Sequence, residues 1–331
     1  MVSAGALDCP ACGTPISIGD RFCEGCGHEL APTAAGAGAA PSPSTFEPGA
    51  PAPCASCGST AVVDGYCDVC GVKAADPRDH EEAVAAGVAG VSDKGRRHHR
   101  NEDAMAFAPE PGVVYAVVCD GVSTTVDPHV ASLAAARAAL DALVAGGSDA
   151  PAMDAAYDAA RDAAVGTPFE PAPDLGPPSC TYLAAVVTDR LVTFASLGDC
   201  RAYWLGDAGA TQLTSDDSWA IEQIECGAMS VEAAYADPKG HMITRWLGID
   251  ADPEWRPRIT RFDPPGAGRV VLCSDGLWNY TLEPAQLVAA AGGEPDLLTM
   301  ARRLVDFAND AGGADNITVV VVDVPLPKGD R

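Results

Sequence analysis

Residues 113–121 read VVYAVVCDG, and residues 268–276 read GRVVLCSDG. Both stretches are short, Val-rich apolar runs that end in Asp-Gly. Such a run is typical of a buried β-strand, and the Asp that follows it is delivered to the edge of a sheet. Two strands that end in the same way predict that Asp120 and Asp275 share one site.

The neighbouring segments predict a fold that contains both sheets and helices. Residues 129–146 and 151–165 are Ala-rich and have helix-forming composition, whereas residues 181–206 contain successive short strands with brief turns. An amphipathic helix is predicted over 296–310, before a closing strand at 316–324. Because strands follow one another here instead of alternating with helices, the pattern predicts an α+β fold built in layers.

Acidic residues at strand ends or loop starts recur in several places. Hard cations such as Mg²⁺ and Mn²⁺ prefer oxygen ligands, and a glycine directly after an Asp lets the backbone come close and offer its carbonyl. A single Asp-Gly pair indicates no more than a turn. The places are Asn101-Glu102-Asp103, Asp120-Gly121, Gly198-Asp199, Asp275-Gly276 and Asp315-Asn316.

The order of these residues and their neighbours are more specific than any one of them. The chain contains, in order, RNEDA (100–104), VCDGV (118–122), LGDCRAY (197–203), ITRWLG (243–248), LCSDGLWN (272–279) and GGADNITVV (312–320). This series resembles the ordered motifs of the bacterial type 2C (PPM) metal-dependent protein serine/threonine phosphatases, over about residues 84–325. The resemblance implies a four-layer α-β-β-α sandwich of two antiparallel sheets flanked by helices, with metals in a cleft at one edge.

The resemblance also implies how the strand-end carboxylates act. Removal of a phosphoryl group requires a water nucleophile and neutralisation of a dianion, and two divalent metals supply both. Asp120 is similar to the carboxylate that bridges two Mn²⁺ or Mg²⁺ ions, and Gly121 is similar to the residue that lends its carbonyl. Asp275 and Asp315 resemble ligands to one of the two metals.

The other acidic positions follow the same pattern, with two departures nearby. Glu102 and Asp103 are similar to the acidic pair that holds the other metal, directly or through water, and Asp199 resembles the carboxylate of a third, weaker metal site. Residues 123–124 are Ser-Thr where the family usually has Gly-Gly, and residues 179–181 are Ser-Cys-Thr where it has Gly-Thr-Thr. Neither departure removes a ligand, but both alter loop geometry.

A cationic segment, RRHHR at residues 96–100, precedes the acidic pair. In the family an Arg five residues before the acidic Asp contacts the phosphoryl oxygens, and His98 occupies that position here. We predict that His98, and more weakly Arg100, contact substrate phosphate, because a dianion that approaches carboxylates needs a positive counterweight. The alternative is a solvated basic turn.

Eight of the 13 cysteines form C-x2-C pairs near the N-terminus. Without a predicted signal peptide, this spacing indicates metal binding rather than disulfides, and four thiolates complete one tetrahedral zinc site. We therefore predict two structural zinc ions in two modules that resemble short zinc ribbons, with pairing across the modules left open. The first set is Cys9, Cys12, Cys23 and Cys26, and the second is Cys54, Cys57, Cys67 and Cys70.

Composition sets the predicted domain boundaries. Residues 31–53 are rich in Ala, Pro, Gly and Ser and cannot bury enough surface to fold, which predicts a flexible linker. The predicted order is a zinc-ribbon-like module at 1–30, the linker at 31–53, a second module at 54–72, a connector at 73–82, a phosphatase domain at 83–326 and a tail at 327–331.

The formal net charge of −25 argues against broad surfaces for nucleic acid or anionic membranes, because phosphate groups are bound by Lys and Arg. No run approaches the ~18 apolar residues that span a bilayer. The N-terminus has neither a basic segment followed by an apolar one nor a cleavage signal. We expect a cytoplasmic protein that does not bind membranes.

The expected function is hydrolysis of phosphoserine and phosphothreonine esters by a metal-activated water at a binuclear Mn/Mg centre. Phosphorylated proteins would be its substrates, and a serine/threonine kinase would oppose it. The alternative is a catalytically weak scaffold with the phosphatase fold, whose zinc ribbons bind protein or, less readily, nucleic acid. The intact set of acidic residues favours the enzyme.

Overall fold

The computed structural model describes residues 57–63, 66–71, 74, 76–148 and 150–325, with the backbone of residues 7–8 and 15–16. The chain forms two compact units, Met1–Ser42 and Pro43–Arg331. In chain order the strands are β1 (Leu7–Asp8), β2 (Pro15–Ile16), β3 (Val62–Val63), β4 (Tyr66–Cys67), β5 (His80–Ala85), β6 (Val88–Asp93), β7 (Ala104–Glu110), β8 (Val113–Cys119), β9 (Ser179–Cys180), β10 (Tyr182–Thr188), β11 (Val192–Leu197), β12 (Arg201–Gly206), β13 (Gly209–Gln212), β14 (Leu247–Gly248), β15 (Arg258–Phe262), β16 (Gly268–Cys273) and β17 (Ile317–Val324).

The helices complete the set of elements in the described part of the chain. A 3-10 turn at Pro77–Asp79 precedes β5. The α-helices are α1 (Pro128–Gly146), α2 (Ala150–Val165), α3 (Trp219–Glu225), α4 (Val231–Ala236), α5 (Asp275–Trp278), α6 (Pro284–Ala291) and α7 (Leu297–Asp310).

Two antiparallel sheets form the centre of the second unit. The five-stranded sheet has the order β15-β11-β10-β8-β7, and the six-stranded sheet has the order β13-β12-β16-β17-β6-β5. Three two-stranded pairs, β1-β2, β3-β4 and β9-β14, lie outside these sheets. The first pair, β1-β2, lies in the first unit.

Three apolar layers hold the second unit together. Side chains of both sheets, among them Phe107, Leu183, Phe194 and Leu272, pack between the sheets. A second cluster joins the five-stranded sheet to α1 and α2, and a third joins the six-stranded sheet to α5, α6 and α7. Burying one such side chain contributes about 1.5–3 kcal/mol. The result is the α-β-β-α arrangement of an α+β fold.

Helix α1 corrects the expectation that no segment of the chain is long and apolar enough to span a bilayer. Its 19 residues are long and apolar enough to cross a membrane by length and hydropathy alone. In the structure its face with Ala131, Ala135, Ala139 and Leu143 is fully buried in the cluster shared with α2 and the five-stranded sheet. Small side chains on that face let the helix approach the sheet closely, so its apolar character is explained by the core.

The sequence predicts the elements with a clear hydrophobic pattern, but it does not predict the full extent of the half-polar strand β5. The two Val-rich runs form β8 and β16, and the predicted helices over 129–146, 151–165 and 296–310 form α1, α2 and α7. The first strand of the domain, β5, begins at His80 and not at Ala83, so part of the expected connector belongs to the six-stranded sheet. Asp275 is the first residue of α5 and does not extend β16.

Candidate metal centre

Strand register brings the acidic residues to one edge of the sandwich. Ala104 at the start of β7 pairs with Cys119 at the end of β8, which places Asp103 beside Asp120. Cys273 at the end of β16 pairs with Arg201 at the start of β12 and with Val319 near the start of β17. The residues just outside these positions are Asp275, Asp199 and Asp315. The sheets therefore deliver all five carboxylates to one place.

A cleft of about 160 Å³ lies at this edge. Larger surface cavities of about 500 Å³ lie elsewhere, but they are not lined by this cluster of carboxylates. Five of the predicted metal residues line the cleft, namely Asp120, Gly121, Asp199, Asp275 and Asp315. Val122, Ser123, Thr181, His241 and Ile243 complete its walls.

Short hydrogen bonds fix the carboxylates that do not line the cleft. The Ser274 hydroxyl donates to Asp103 Oδ2 at 2.7 Å, and the Ser123 hydroxyl donates to Glu102 Oε2 at 2.7 Å. Ser123 is one of the two residues that depart from the family's Gly-Gly, and the structure shows that it orients an acidic side chain. The positions of Ser123 and Glu102 in the sequence do not predict this contact.

Asn316 joins the segments on both sides of the cleft. Its Oδ1 accepts a hydrogen bond from the backbone N–H of Glu102 at 2.8 Å, and its Nδ2 donates to the carbonyls of Lys94 and Arg100 at 2.8 and 3.0 Å. Gly276 packs so close that a Cβ there would lie 1.9 Å from the Asn316 carbonyl oxygen. Glycine after Asp275 is therefore required by a close backbone approach, as the sequence predicted.

Burial and mutual repulsion raise the pKa values of these carboxyl groups. Burial raises the pKa of Asp103 to about 7 and that of Asp199 to about 7, and nearby carboxylates add to both effects. For Asp120 and Asp275, burial and then the neighbouring Asp side chains hold the pKa well above its usual range. Such a cluster ionises together only when cations neutralise it.

The donor set fits hard divalent cations. Asp103 Oδ1 is buried and has no hydrogen-bond partner within the described residues, although its other oxygen is bound by Ser274. Buried carboxylate oxygens are normally satisfied, so an unpaired one in a group of acids indicates a ligand. All of the converging donors are oxygens, which is the preference of Mg²⁺ and Mn²⁺.

His98 and Arg100, the two residues predicted to contact substrate phosphate, have different surroundings. His98 Nε2 lies 3.1 Å from Asp315 Oδ1, and its Nδ1 lies 3.9 Å from Glu102 Oε2, so the ring touches two of the acidic residues. Arg100 Nη1 instead lies 2.8 Å from Nε2 of His129 at the start of α1. Burial, together with the Arg100 charge, lowers the pKa of His129 to about 4, which leaves its ring neutral and able to accept. Neither His98 nor Arg100 lines the cleft itself.

The second cysteine module is partly described. The Sγ atoms of Cys57, Cys67 and Cys70 all lie within 4.8 Å of one another, and those of Cys57 and Cys67 are 3.5 Å apart. Backbone hydrogen bonds from Cys70 and Val69 lower the pKa of Cys67 to about 6, which favours the thiolate that metals bind. Its fourth predicted ligand, Cys54, and the first set of Cys9, Cys12, Cys23 and Cys26 lie outside the described residues.

The sandwich and its all-oxygen acidic centre define a class, the metal-dependent phosphatases. Comparison with known proteins agrees. The family model "Protein phosphatase 2C" matches residues 93–312. The chain belongs to the protein phosphatase 2C family.

Curated relatives and solved structures place the similarity in the second unit. The serine/threonine protein phosphatase PstP of Mycobacterium tuberculosis is 32% identical over 235 residues, 70% of this chain and 44% of that protein, so the match spans less than half of this relative. The serine/threonine phosphatase stp of Listeria monocytogenes is 28% identical over 72% of this chain and 96% of its own length.

Among solved structures, the M. tuberculosis PstP/Ppp phosphatase matches with a TM-score of 0.59 and 27% identity, covering 72% of this chain and 98% of that one. A structure of the PstP catalytic domain in complex with two manganese ions matches with a TM-score of 0.58 and 28% identity, covering 72% and 97%.

Proposed function

We propose that this protein hydrolyses phosphoserine and phosphothreonine esters of proteins at a binuclear Mn²⁺ or Mg²⁺ centre. The observation that carries the proposal is the convergence of four carboxylates on one small cleft, with an unpaired buried oxygen on neighbouring Asp103. The manganese ions in the PstP structure support it by similarity. When bound, the metals would supply a hydroxide at neutral pH and neutralise the phosphoryl oxygens.

Each acidic residue has a proposed task. Asp120 would hold both metals, with Gly121 offering its carbonyl, and Asp275 and Asp315 would be further ligands of one of them. Glu102 and Asp103 would hold the second metal, directly or through water, and Asp199 would be the carboxylate of a third, weaker site. Hydrogen bonds from Ser123 and Ser274 hold the Glu102 and Asp103 side chains in place, and Asn316 accepts a hydrogen bond from the Glu102 backbone.

The experiment is an assay of p-nitrophenyl phosphate and a phosphothreonine peptide with the full chain. We expect hydrolysis of both with Mn²⁺, weaker or equal hydrolysis with Mg²⁺, and none with EDTA, because the metals are proposed to lower the pKa of the attacking water. Release of phosphate in EDTA at the Mn²⁺ rate would contradict the proposal. A chain inactive with every divalent cation would support the scaffold alternative.

The cationic segment is proposed to contact the substrate. His98 Nε2 and Nδ1 lie 3.1 Å from Asp315 and 3.9 Å from Glu102, two of the residues that would hold the metals, and this proximity supports contact with a phosphate bound there. We expect His98→Ala to raise KM for a phosphopeptide more than it lowers kcat. Arg100→Ala should do the same more weakly, because Arg100 is already engaged by His129. Unchanged KM in both variants across pH 6 to 8.5 would leave the segment as a solvated turn.

The cysteine modules are proposed to bind structural zinc, one ion for each set of four thiolates. The clustering of Cys57, Cys67 and Cys70 supports this for the second module. We expect elemental analysis to find about two zinc ions per chain. Replacing Cys67 and Cys70 with Ser should remove about one of them. A full chain that binds no zinc would contradict the proposal.

These modules are not expected to perform the chemistry. Removing them should leave ester hydrolysis intact, provided that the cut lies before Asp76, because Arg78 Nη2 donates to the Asp103 carbonyl at 2.8 Å. A cut at residue 81 would remove this contact and the first residue of β5. A role for the modules in protein contact, an opposing serine/threonine kinase and a cytoplasmic location remain part of the proposal.

A further inference from the structure

Hydrolysis of a serine or threonine ester needs a proton for the departing oxygen. An alkoxide is a strong base and a poor leaving group, and a positioned general acid contributes about 10²–10⁴-fold to such a step. The acidic residues of the cleft are assigned to metals by the proposed function, on which this inference rests. Among the other residues that line the cleft, His241 carries the imidazole, a side chain that can donate a proton from its ring nitrogen.

His241 lies where the cleft opens into a second cavity. A groove of about 360 Å³ adjoins the cleft and shares Val122, His241 and Ile243 with it. The rest of the groove includes Thr125, Met242 and Trp246 and contains none of the residues proposed to hold metal. A phosphorylated side chain has its phosphate at the metals and its peptide outside, so the ester oxygen lies at the boundary between the two cavities. That boundary is where a proton donor is needed.

The ring of His241 is held by neighbouring aromatic rings. Its centroid lies 6.1 Å from that of Tyr235 and 6.2 Å from that of Trp278, with interplanar angles of 43° and 31°. Trp278 is itself fixed, because its Nε1 donates to the Asp199 carbonyl at 2.8 Å and the Arg201 guanidinium lies 3.6 Å from its ring centroid. The ring is therefore oriented by groups that are also tied to the metal centre.

The backbone that carries His241 is also anchored next to the centre. The Trp219 N–H donates to the Met242 carbonyl at 2.9 Å, and the Thr244 N–H donates to the Asp217 carbonyl at 2.8 Å. Asp217 in turn accepts a hydrogen bond through Oδ2 from the Gly198 N–H, directly before Asp199. These contacts fix the distance between the His241 segment and the Asp199 loop, as a catalytic group requires.

We propose that His241 is the general acid that protonates the leaving serine or threonine oxygen. A hydroxide formed from water attacks phosphorus, and the bond between phosphorus and the ester oxygen breaks. The electron pair of that bond stays on the oxygen, which takes a proton from the imidazolium of His241. The neutral imidazole then regains a proton from solvent, replacing the one released when water became hydroxide. The sum is one water consumed, with the alcohol and hydrogen phosphate released.

The test compares two substrates that differ in their need for a proton. p-Nitrophenolate is a weak base and departs unprotonated, whereas a serine or threonine alkoxide does not. For His241→Gln we expect the ratio of kcat on the phosphopeptide to kcat on p-nitrophenyl phosphate to fall about 100-fold. Added imidazole should restore part of the phosphopeptide rate to His241→Ala. Lys239→Gln is the matched control, because it removes a cation from the same exposed segment outside both cavities.

An equal loss on both substrates in His241→Gln would overturn the proposal, since it would mean that the ring only shapes the site. A similar fall in the ratio for Lys239→Gln would also overturn it, because the effect would then be one of charge. Failure of the proposed function gives a different result, in which the unsubstituted protein hydrolyses neither substrate with Mn²⁺.

Discussion

Asp120→Asn and Asp275→Asn are each expected to lower kcat with Mn²⁺ by about 10³-fold or more, because loss of a metal ligand removes several kcal/mol of transition-state stabilisation. A neutral amide cannot balance two dications as a bridging carboxylate does. Steady-state hydrolysis of p-nitrophenyl phosphate measures the effect. Asp207→Asn, an exposed change in the turn between β12 and β13, is the matched control and should keep full activity.

The same variants should fold at least as well as the unsubstituted protein when metal is absent. Burial and neighbouring carboxylates hold the pKa values of Asp120 and Asp275 well above their usual range, so at neutral pH each acid is unfavourable in the metal-free fold. Asn removes that penalty. We expect an equal or higher Tm in EDTA. Near-normal turnover with Mn²⁺ in either variant would refute the two-metal assignment.

Arg201→Met is expected to lower the free energy of unfolding by about 3–5 kcal/mol, because it leaves the buried Asp216 carboxylate without its partner. The two side chains are 3% and 1% exposed, and Arg201 Nε and Nη2 donate to Asp216 at 2.9 and 2.7 Å. Urea unfolding measures the change. Arg261→Met, on the exposed edge strand β15, should change stability by no more than about 0.5 kcal/mol.

Arg201 also links stability to the centre. Its guanidinium lies against Trp278, which donates to the Asp199 carbonyl, and its Nη2 donates to the Tyr235 hydroxyl at 2.8 Å. A paired variant, Arg201→Met with Asp216→Leu, should recover most of the lost stability because no buried charge remains unpaired. If Arg201→Met were as stable as Arg261→Met, the buried pair of Arg201 and Asp216 would not contribute to stability as predicted.

Local pattern predicted the two strands that bring Asp120 and Asp275 to the cleft. The Val-rich runs before Asp120 and Asp275 are buried on both faces, and a continuous apolar run followed by Asp-Gly is a strong signal for a strand end. β5 was missed because HEEAVA is half polar, as an edge strand can be, and its residues alternate between exposed and half-buried. The strength of the sequence signal therefore followed the depth of burial.

Residues placed by tertiary contacts could not be predicted. His241 and Ser123 lie in irregular segments, and neither has a spacing that relates it to the carboxylates; only the folded chain brings them to the cleft. Among the described single cysteines, Cys119, Cys180, Cys200 and Cys273 are buried, whereas Cys226 at the end of α3 is exposed. Cys226 is exposed because it follows α3, a short helix in which Ala220 alone is buried.

Hydrolysis is expected to depend on metals held by this one cluster of carboxylates. The most direct measurement titrates Mn²⁺ into the metal-free full chain, with bound Mn²⁺ followed by electron paramagnetic resonance and phosphothreonine peptide hydrolysis followed in the same samples. Zn²⁺, which the cysteine modules are proposed to bind, does not give the Mn²⁺ signal. We predict that activity rises with occupancy of a spin-coupled pair of Mn²⁺ ions and that Asp120→Asn abolishes both. Hydrolysis at the full rate without bound Mn²⁺, or a coupled pair that persists in Asp120→Asn, would show that these carboxylates do not hold the catalytic metals.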